Sequence, residues 1–370
     1  MLWLMVSVII APDSFKGTAT APEAARLLGE GVRSVIRDAD ITLAPMADGG
    51  EGTAATFGGE TVTLPTTDAA GRLTEASYVF DAAGKTAYID IAAASGLPAV
   101  ADDPVPTSGD TYGTGVLIAD AQTRGAERIV LCLGGSATVE AGTGILVALG
   151  ANPHNEQGLG LRKGGGQLGE LAGFDTAQLN IPAAAVEWVL LTDVTAPVTG
   201  PQGAAHVFGP QKGASPEEVA LLDAALAHTC DILDVDPATP GYGAAGAVPV
   251  GIHWLSTMLH GSDSFVHVLP GAPVVADALG LPEAIPQADL VITGEGAFDD
   301  QSRTGKVVGT VAELVAGTPA TLAVAAGRMD ADPGDGVIAA ELGDGDVDTQ
   351  LFDAGARIAA DYLRISTAQG

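Results

Sequence analysis

Positive charge is scarce in this chain. Lysine occurs five times in 370 residues, at Lys16, Lys85, Lys163, Lys212 and Lys306, and 16 basic residues face 46 acidic ones for a net charge of −30. So acidic a chain is repelled by nucleic acid and by anionic membrane surfaces, and neither is expected as a partner. Cysteine is nearly absent: Cys132 and Cys230 stand far apart in apolar surroundings and read as buried thiols of a cytoplasmic protein. No Cys-x-x-Cys or His-Glu-x-x-His occurs and the six histidines are scattered, which argues against a transition-metal site. No run approaches 18 apolar residues, so no membrane-spanning helix is expected. The apolar start, Met1 to Ala11, lacks a basic leader and runs into Pro12-Asp13, the pattern of a buried first strand. Disorder is excluded in turn, because charged residues make up 17 % of the chain and hydrophobic residues 47 %.

What is present is glycine beside the rare lysines. Every one of the five lysines has a glycine neighbour. Glycine lets backbone approach a ligand closely, and lysine supplies a mobile point charge suited to phosphate. Three runs combine glycine with ionisable residues: Ala11-Pro12-Asp13-Ser14-Phe15-Lys16-Gly17, Ala47-Asp48-Gly49-Gly50-Glu51-Gly52, and Thr293-Gly294-Glu295-Gly296 with Gly305-Lys306 behind it.

Strand and helix signals alternate along the chain. Val6 to Ala11 reads as a buried strand, and Thr20 with Glu23 forms a capping box ahead of a helix whose apolar face includes Ala24, Leu27, Leu28 and Val35. Ile41 to Ala44 is a second strand. Leu290 to Thr293 is a third, stopping at Gly294-Glu295-Gly296, and a helix near Lys306 to Val315, a strand Thr321 to Ala325 and a last helix around Asp353 to Leu363 follow. Between these ends the spacing predicts strands at Thr61 to Leu64, Glu75 to Phe80, Thr86 to Ile91, Ile129 to Leu133 and Val186 to Leu191. Helices are expected at Gly115 to Thr123 and after Ser215-Pro216-Glu217-Glu218. Asp234 to Gly246, rich in Asp, Pro and Gly, resembles a linker. Helices alternating with short apolar strands imply an α/β fold. We expect a Rossmann-like or flavodoxin-like parallel sheet over residues 1–60 and 285–370, a second α/β domain inserted over 61–284, and an active site in the cleft between them.

Common nucleotide motifs fail. Gly305-Lys306 precedes Val307 and lacks the glycine of a Walker loop, and Gly241-Tyr242-Gly243-Ala244-Ala245-Gly246 follows no strand. What remains is a set of carboxylates at or near strand ends: Asp13, Asp48, Asp193 and Glu295. In open α/β sheets ligands collect at the carboxyl ends of strands, where such groups can hold Mg2+ or accept a hydroxyl proton. With Lys16, Lys212 and Lys306 nearby, the pattern points to an ATP- and Mg2+-dependent phosphotransferase acting on a small hydroxylated anion. Asp193 is the expected proton acceptor, with Asp48 as the alternative. Glu295 and Asp299, among Gly294, Gly296 and Lys306, suit the metal. Asp13, Ser14, Lys16, Gly49, Gly50, Gly134, Gly135, Ser136, Lys212, Gly294, Gly296 and Lys306 are candidates for holding the nucleotide, and Lys16 is a catalytic candidate as well.

At these residues the chain also resembles the type I glycerate kinases, over nearly its whole length. Ile10 to Gly17 looks like that family's first signature and Pro45 to Thr53 like its second. Ile91 to Leu97, Thr111 to Gly115, Gly134 to Thr138, Phe208 to Ala214 and Thr293 to Gly296 follow in the family order, with Asp299, Gln301, Gly305 and Lys306 behind them. The resemblance implies ATP-dependent phosphorylation of D-glycerate, mostly to 2-phosphoglycerate among bacterial members. Two loops depart from the pattern. Val139-Glu140-Ala141 replaces the usual Asn-Asp-Gly, and Ala196 replaces Asn before Pro197, removing two side-chain amides from loops expected to face the cleft. The alternatives are a kinase for another small hydroxy acid and a non-catalytic sensor of a phosphorylated metabolite.

Overall fold

The computed structural model describes residues 5–369 apart from Lys16 and Thr304, with the backbone alone at Ala368 and Gln369. The chain divides into two compact units, one of residues 1–48 and 270–370, the other of residues 49–269. These boundaries lie at 48/49 and 269/270, because the glycine run at Gly49 already packs with the middle segment and the Gly271–Ala278 helix packs with the terminal one.

The terminal unit is built on a five-stranded sheet. Its strands lie in the order Ile338–Glu341, Thr321–Met329, Leu290–Phe298, Ser7–Ile10 and Asp40–Leu43. Every pairing is parallel, and Val8 stands against Leu290 in register, so the N-terminal strand and the Leu290 strand share one sheet. Alternate residues of each strand feed opposite faces. Val8, Ile10, Leu290 and Ile292 pack under the helices Ala21–Val35 and Val347–Gln369, while Val324 and Ala326 pack with Val308 of the Val307–Val315 helix. Thr20 caps the first helix as expected, its hydroxyl accepting from Glu23 N–H and the Glu23 carboxylate accepting from Thr20 N–H (2.9 Å), worth about 1 kcal/mol.

The second unit holds a six-stranded sheet in the order Val266–Pro270, Glu187–Thr192, Arg128–Cys132, Thr86–Asp90, Leu73–Asp81 and Glu60–Thr67. Thr86–Asp90, Arg128–Cys132 and Glu187–Thr192 run parallel, and the Leu73 and Glu60 strands join antiparallel. Trp188, Leu190, Ile129, Leu131 and Ile89 form its core with the helices Tyr112–Thr123 and Ala244–His260.

Two expectations are corrected and one helix is added. The Leu290 strand does not stop at Gly294 but runs to Phe298, because Thr321–Met329 continues beside it through the pair Phe298 and Met329. Gly294 allows this close pairing, since a Cβ there would stand 2.2 Å from the Ala325 carbonyl oxygen. Asp234 to Gly246 is no linker but lies inside the second unit, where Val198 N–H donates to Pro237 O and Gly243 N–H to Ala196 O. The helix that follows, Ala244–His260, has no counterpart in the sequence reading. Pro249 and Gly251 disguise it, and Ala245, Gly246 and Ala247 open it with left-handed backbone angles.

Candidate active site

Consider first the terminal unit. The chain lays down Ser7–Ile10, places Asp40–Leu43 on one side of it, and returns to the other side with Leu290–Phe298. Strand order thus reverses beside the first strand, the position where open α/β sheets bind ligands. The loops leaving these strands are stitched together: Asp13 N–H donates to Gly294 O (2.8 Å) and Met46 N–H to Pro12 O (2.8 Å). Asp13, Asp48 and Glu295 thereby come close enough to repel one another. Burial, then Asp48, and then Glu295 push the Asp13 carboxyl up to about 7, against the pull of Ser14 N–H, which donates to it at 2.6 Å. Burial also raises Glu295, and Lys306 and Ser302 pull it back. The Glu295 Oε1 atom is buried and has no hydrogen-bond partner among the described residues.

Lys306 is the N-cap residue of the Val307–Val315 helix, so its ammonium and the positive helix end act on the same region as Glu295 and Asp299. Asp299 Oδ1 accepts from Gln301 N–H (2.8 Å) and Ser302 N–H (3.2 Å), holding the turn that leads to Lys306. Lys16 lies outside the described residues, between Phe15 and Gly17.

A divalent cation fits this group in one respect and is limited in another. Three mutually repelling carboxylates and a buried unpartnered Glu295 oxygen suit a cation. Among the described residues, however, no cluster of three or more His, Cys, Asp or Glu is placed to hold a metal by itself. Mg2+ asks for no such cage, since it commonly takes one or two carboxylates and fills its shell with water and phosphate oxygens.

The second unit presents a different arrangement at the carboxyl ends of its parallel strands. Gly134 to Ser136 leave the Arg128–Cys132 strand and Asp193 leaves Glu187–Thr192, the two strands being paired through Cys132 and Leu191. The Gly49-Gly50 turn lies against both. Gly134 N–H donates to Gly49 O (3.1 Å), and a Cβ on Gly134 would stand 2.4 Å from Gly50 Cα. Asp193 is exposed. Ser136 and Lys212 meet: the Lys212 ammonium donates to Ser136 Oγ (3.0 Å) and to Thr138 O (2.7 Å), and both residues are buried. Lys163 goes elsewhere, its Nζ 4.0 Å from Asp110 Oδ2.

Two carboxylates that the sequence reading did not single out belong to this end of the sheet. Asp90 closes the Thr86–Asp90 strand and accepts from Gly52 N–H and Ala54 N–H (both 2.9 Å), anchoring the glycine turn, while burial raises its pKa. It could have been found, because Tyr88-Ile89-Asp90 has the same strand-ending carboxylate pattern as the residues that were chosen. Glu140 is fully buried; it accepts from Thr111 Oγ1 (2.7 Å), Gly144 N–H (2.7 Å) and Thr143 Oγ1, and burial pushes it up to about 7. The sequence marks it only as part of the departing Val139-Glu140-Ala141 loop, and nothing local reveals its donors.

A family model described as the glycerate kinase family matches residues 8–341. The chain belongs to the glycerate kinase family. It is 40 % identical over 315 residues to the glycerate kinase of Halalkalibacterium halodurans, covering 82 % of this chain and 80 % of that one. It is likewise 40 % identical over 319 residues to the glycerate 2-kinase of Escherichia coli K12, covering 82 % and 80 %. The crystal structure of a protein assigned as glycerate kinase 2 from Salmonella typhimurium LT2 superposes with a TM-score of 0.82 at 33 % identity, over 98 % of this chain and 99 % of that one. The α/β fold and its kinase class follow from these likenesses. Among the described residues no helix is long and apolar enough to cross a membrane.

Against the glycerate kinase pattern, the departure at residue 139 is not where a ligand would feel it. Val139 is fully buried in an apolar cluster with Leu168, Val219 and Leu222, so the missing amide there is a core substitution. Ala141 keeps the positive φ of 56° although it stands where the family has glycine. Ala196 is half-buried, and its carbonyl holds Gly243 N–H.

Proposed function

We propose that this chain transfers the γ-phosphoryl group of ATP to a hydroxyl of D-glycerate, giving 2-phosphoglycerate and ADP. The observation that carries this reading is the switch point of the terminal sheet, where Asp13, Asp48 and Glu295 gather beside Lys306 at a helix N-terminus. That arrangement suits a polyphosphate with its cation. Lys306 and the helix end, with Lys16 and Ser14 from the first loop, would take phosphate oxygens; Gly294 and Gly296 let the backbone approach. Glu295 and Asp299 would hold Mg2+, which when bound neutralises charge on the transferring group.

In the transfer, the glycerate hydroxyl oxygen forms a bond to the γ-phosphorus while the bond to the ADP oxygen breaks, ADP keeping the electron pair. The hydroxyl proton passes to a carboxylate. Asp193, exposed beside the Gly134 loop and the Gly49-Gly50 turn, is our assignment, with Asp48 as the alternative. Both cysteines are buried free thiols, in keeping with a reducing cytoplasm.

ADP release measured with a panel of hydroxy acids tests the reading. D-glycerate should give the highest kcat/KM. A clear preference for a different hydroxy acid would leave a kinase of another acceptor, and no turnover with any of them would leave a sensor.

A further inference from the structure

Lys212 ends in a charge, yet only 4 % of the residue is exposed. Its two hydrogen-bond acceptors, Ser136 Oγ and Thr138 O, are neutral, and no carboxylate of the described residues lies within the 4.0 Å of an ion pair. Glu140 supports the ammonium only from farther away, its own oxygens being taken by Thr111, Thr143 and Gly144. An ammonium carries three donors, and two are used here. The hydroxyl of Thr138, whose carbonyl takes one of these bonds, is buried and has no hydrogen-bond partner among the described residues. Burying a cation against neutral acceptors is unfavourable, and it pushes Lys212 down to about 7. An anion would remove that deficit.

We propose that Lys212 Nζ, Ser136 Oγ and Thr138 Oγ1 form the subsite that binds the carboxylate of the hydroxy-acid acceptor. This rests on the acceptor being a hydroxy acid, as proposed above. The site is matched to a single negative charge. One ammonium stands there with a buried carboxyl, Glu140, behind it, so a polyphosphate would bring charge that nothing nearby offsets. Nucleotide phosphates require several cations or a metal, and Lys306 with its carboxylate neighbours in the terminal unit suits them better. All three ligand groups lie in residues 49–269, Ser136 and Thr138 on the loop that also carries Gly134 and Gly135, and Lys212 in the Pro210–Lys212 turn. Lys212 thus acts on acceptor specificity: it makes the site choose an acid over a neutral alcohol of the same shape, because the neutral compound leaves the buried charge unpaired.

The test compares D-glycerate with D-glyceramide, its neutral isostere, as acceptors for wild type, Lys212→Met and Ser136→Ala. Wild type should prefer the acid strongly. Lys212→Met should lower kcat/KM for D-glycerate about a hundredfold, mainly through KM, as expected for a buried charge pair losing one partner. Its kcat/KM for D-glyceramide and its KM for ATP should stay within about threefold of wild type. Ser136→Ala, the milder change, should shift the acid-to-amide ratio the same way by about tenfold, and it keeps the test open should Lys212→Met not fold. A raised KM for ATP with an unchanged acid-to-amide ratio would assign Lys212 to the nucleotide and overturn the proposal. Equal loss with both acceptors, together with a lowered Tm, would make it a structural clip and overturn it too. Calorimetric binding of D-glycerate to wild type and to the two variants separates this from the functional reading. A wild-type protein that binds D-glycerate through Lys212 but releases no ADP sinks the activity alone, whereas one that binds no hydroxy acid sinks both.

Discussion

In the unit formed by the two chain ends, acidic side chains crowd the strand ends around one described lysine, and burial, helped by repulsion from Asp48 and Glu295, pushes Asp13 up to about 7. In the unit formed by the middle of the chain, a lysine is sealed under a glycine loop with neutral acceptors. The first arrangement is short of positive charge and the second is short of negative charge. A chain with 16 basic residues against 46 acidic ones has few cations to place, so where each one lies is informative. The difference underlies our proposal that the two units take different ligands: a cation with phosphate in one, a lone anion in the other.

The largest expected effect breaks this comparison at the proton. Asp193→Asn is nearly isosteric but takes no proton, so kcat should fall by about 10²–10⁴ while both KM values move only several-fold. A kcat near wild type would move the assignment to Asp48. Next is Lys306→Ala, which removes the described cation of the terminal site. We expect kcat/KM for ATP to drop about a hundredfold, or roughly 2.7 kcal/mol of transition-state stabilisation. Lys85→Ala is the control, because Lys85 is exposed and paired with Glu127 at the amino end of the Thr86–Asp90 strand, and steady-state kinetics should barely register it.

Smaller effects sharpen the comparison through stability. Val139→Asn returns the usual family residue to a position that here is fully buried in an apolar cluster. A buried amide without partners should cost about 1–3 kcal/mol in denaturant unfolding. The KM for D-glycerate should not change; an improved KM would mean the side chain reaches the ligand after all. Asp13→Asn tests the crowding of charge. The folded-state pKa of Asp13 is raised from 3.8 to about 7, so the native protein keeps a proton that the unfolded chain releases, and stability falls as pH rises across that window. The asparagine variant escapes this loss. Its advantage over wild type should therefore grow between about pH 4 and pH 7 and level off above, reaching about 1 kcal/mol after allowing for the partial exposure of the site. Thermal melts at several pH values would show it, and a constant difference would contradict the raised pKa that burial and the neighbouring carboxylates give Asp13.

Much of this was legible because it is local. The Thr20 capping box, the buried run at Val6 to Ala11 and the glycine turns after strands each depend on residues a few positions apart. The terminal sheet could be anticipated from matching patterns at both ends. What escaped depends on distance or on broken local rules. The Ala244–His260 helix carries Pro249 and Gly251 and opens in left-handed backbone. The extension of the Leu290 strand to Phe298 is imposed by its neighbour Thr321–Met329. Lys212 looked like a mobile phosphate ligand because glycine follows it, yet its ammonium is held by Ser136 and Thr138, 76 and 74 residues away in sequence. Glu140 draws its donors from Thr111 and from the start of the Thr143–Ala148 helix, a convergence no spacing rule reveals.

The central claim is that the two units take different parts of the reaction, nucleotide phosphates at the Glu295–Lys306 group and the acceptor's carboxylate at Lys212. A crystal structure with a non-hydrolysable ATP analogue, Mg2+ and D-glycerate tests it most directly. We expect phosphate oxygens on Lys306 with the metal on Glu295, and the glycerate carboxylate within hydrogen-bond distance of Lys212 Nζ and Ser136 Oγ. Phosphate oxygens on Lys212, or glycerate bound with its carboxylate away from that lysine, would contradict the account.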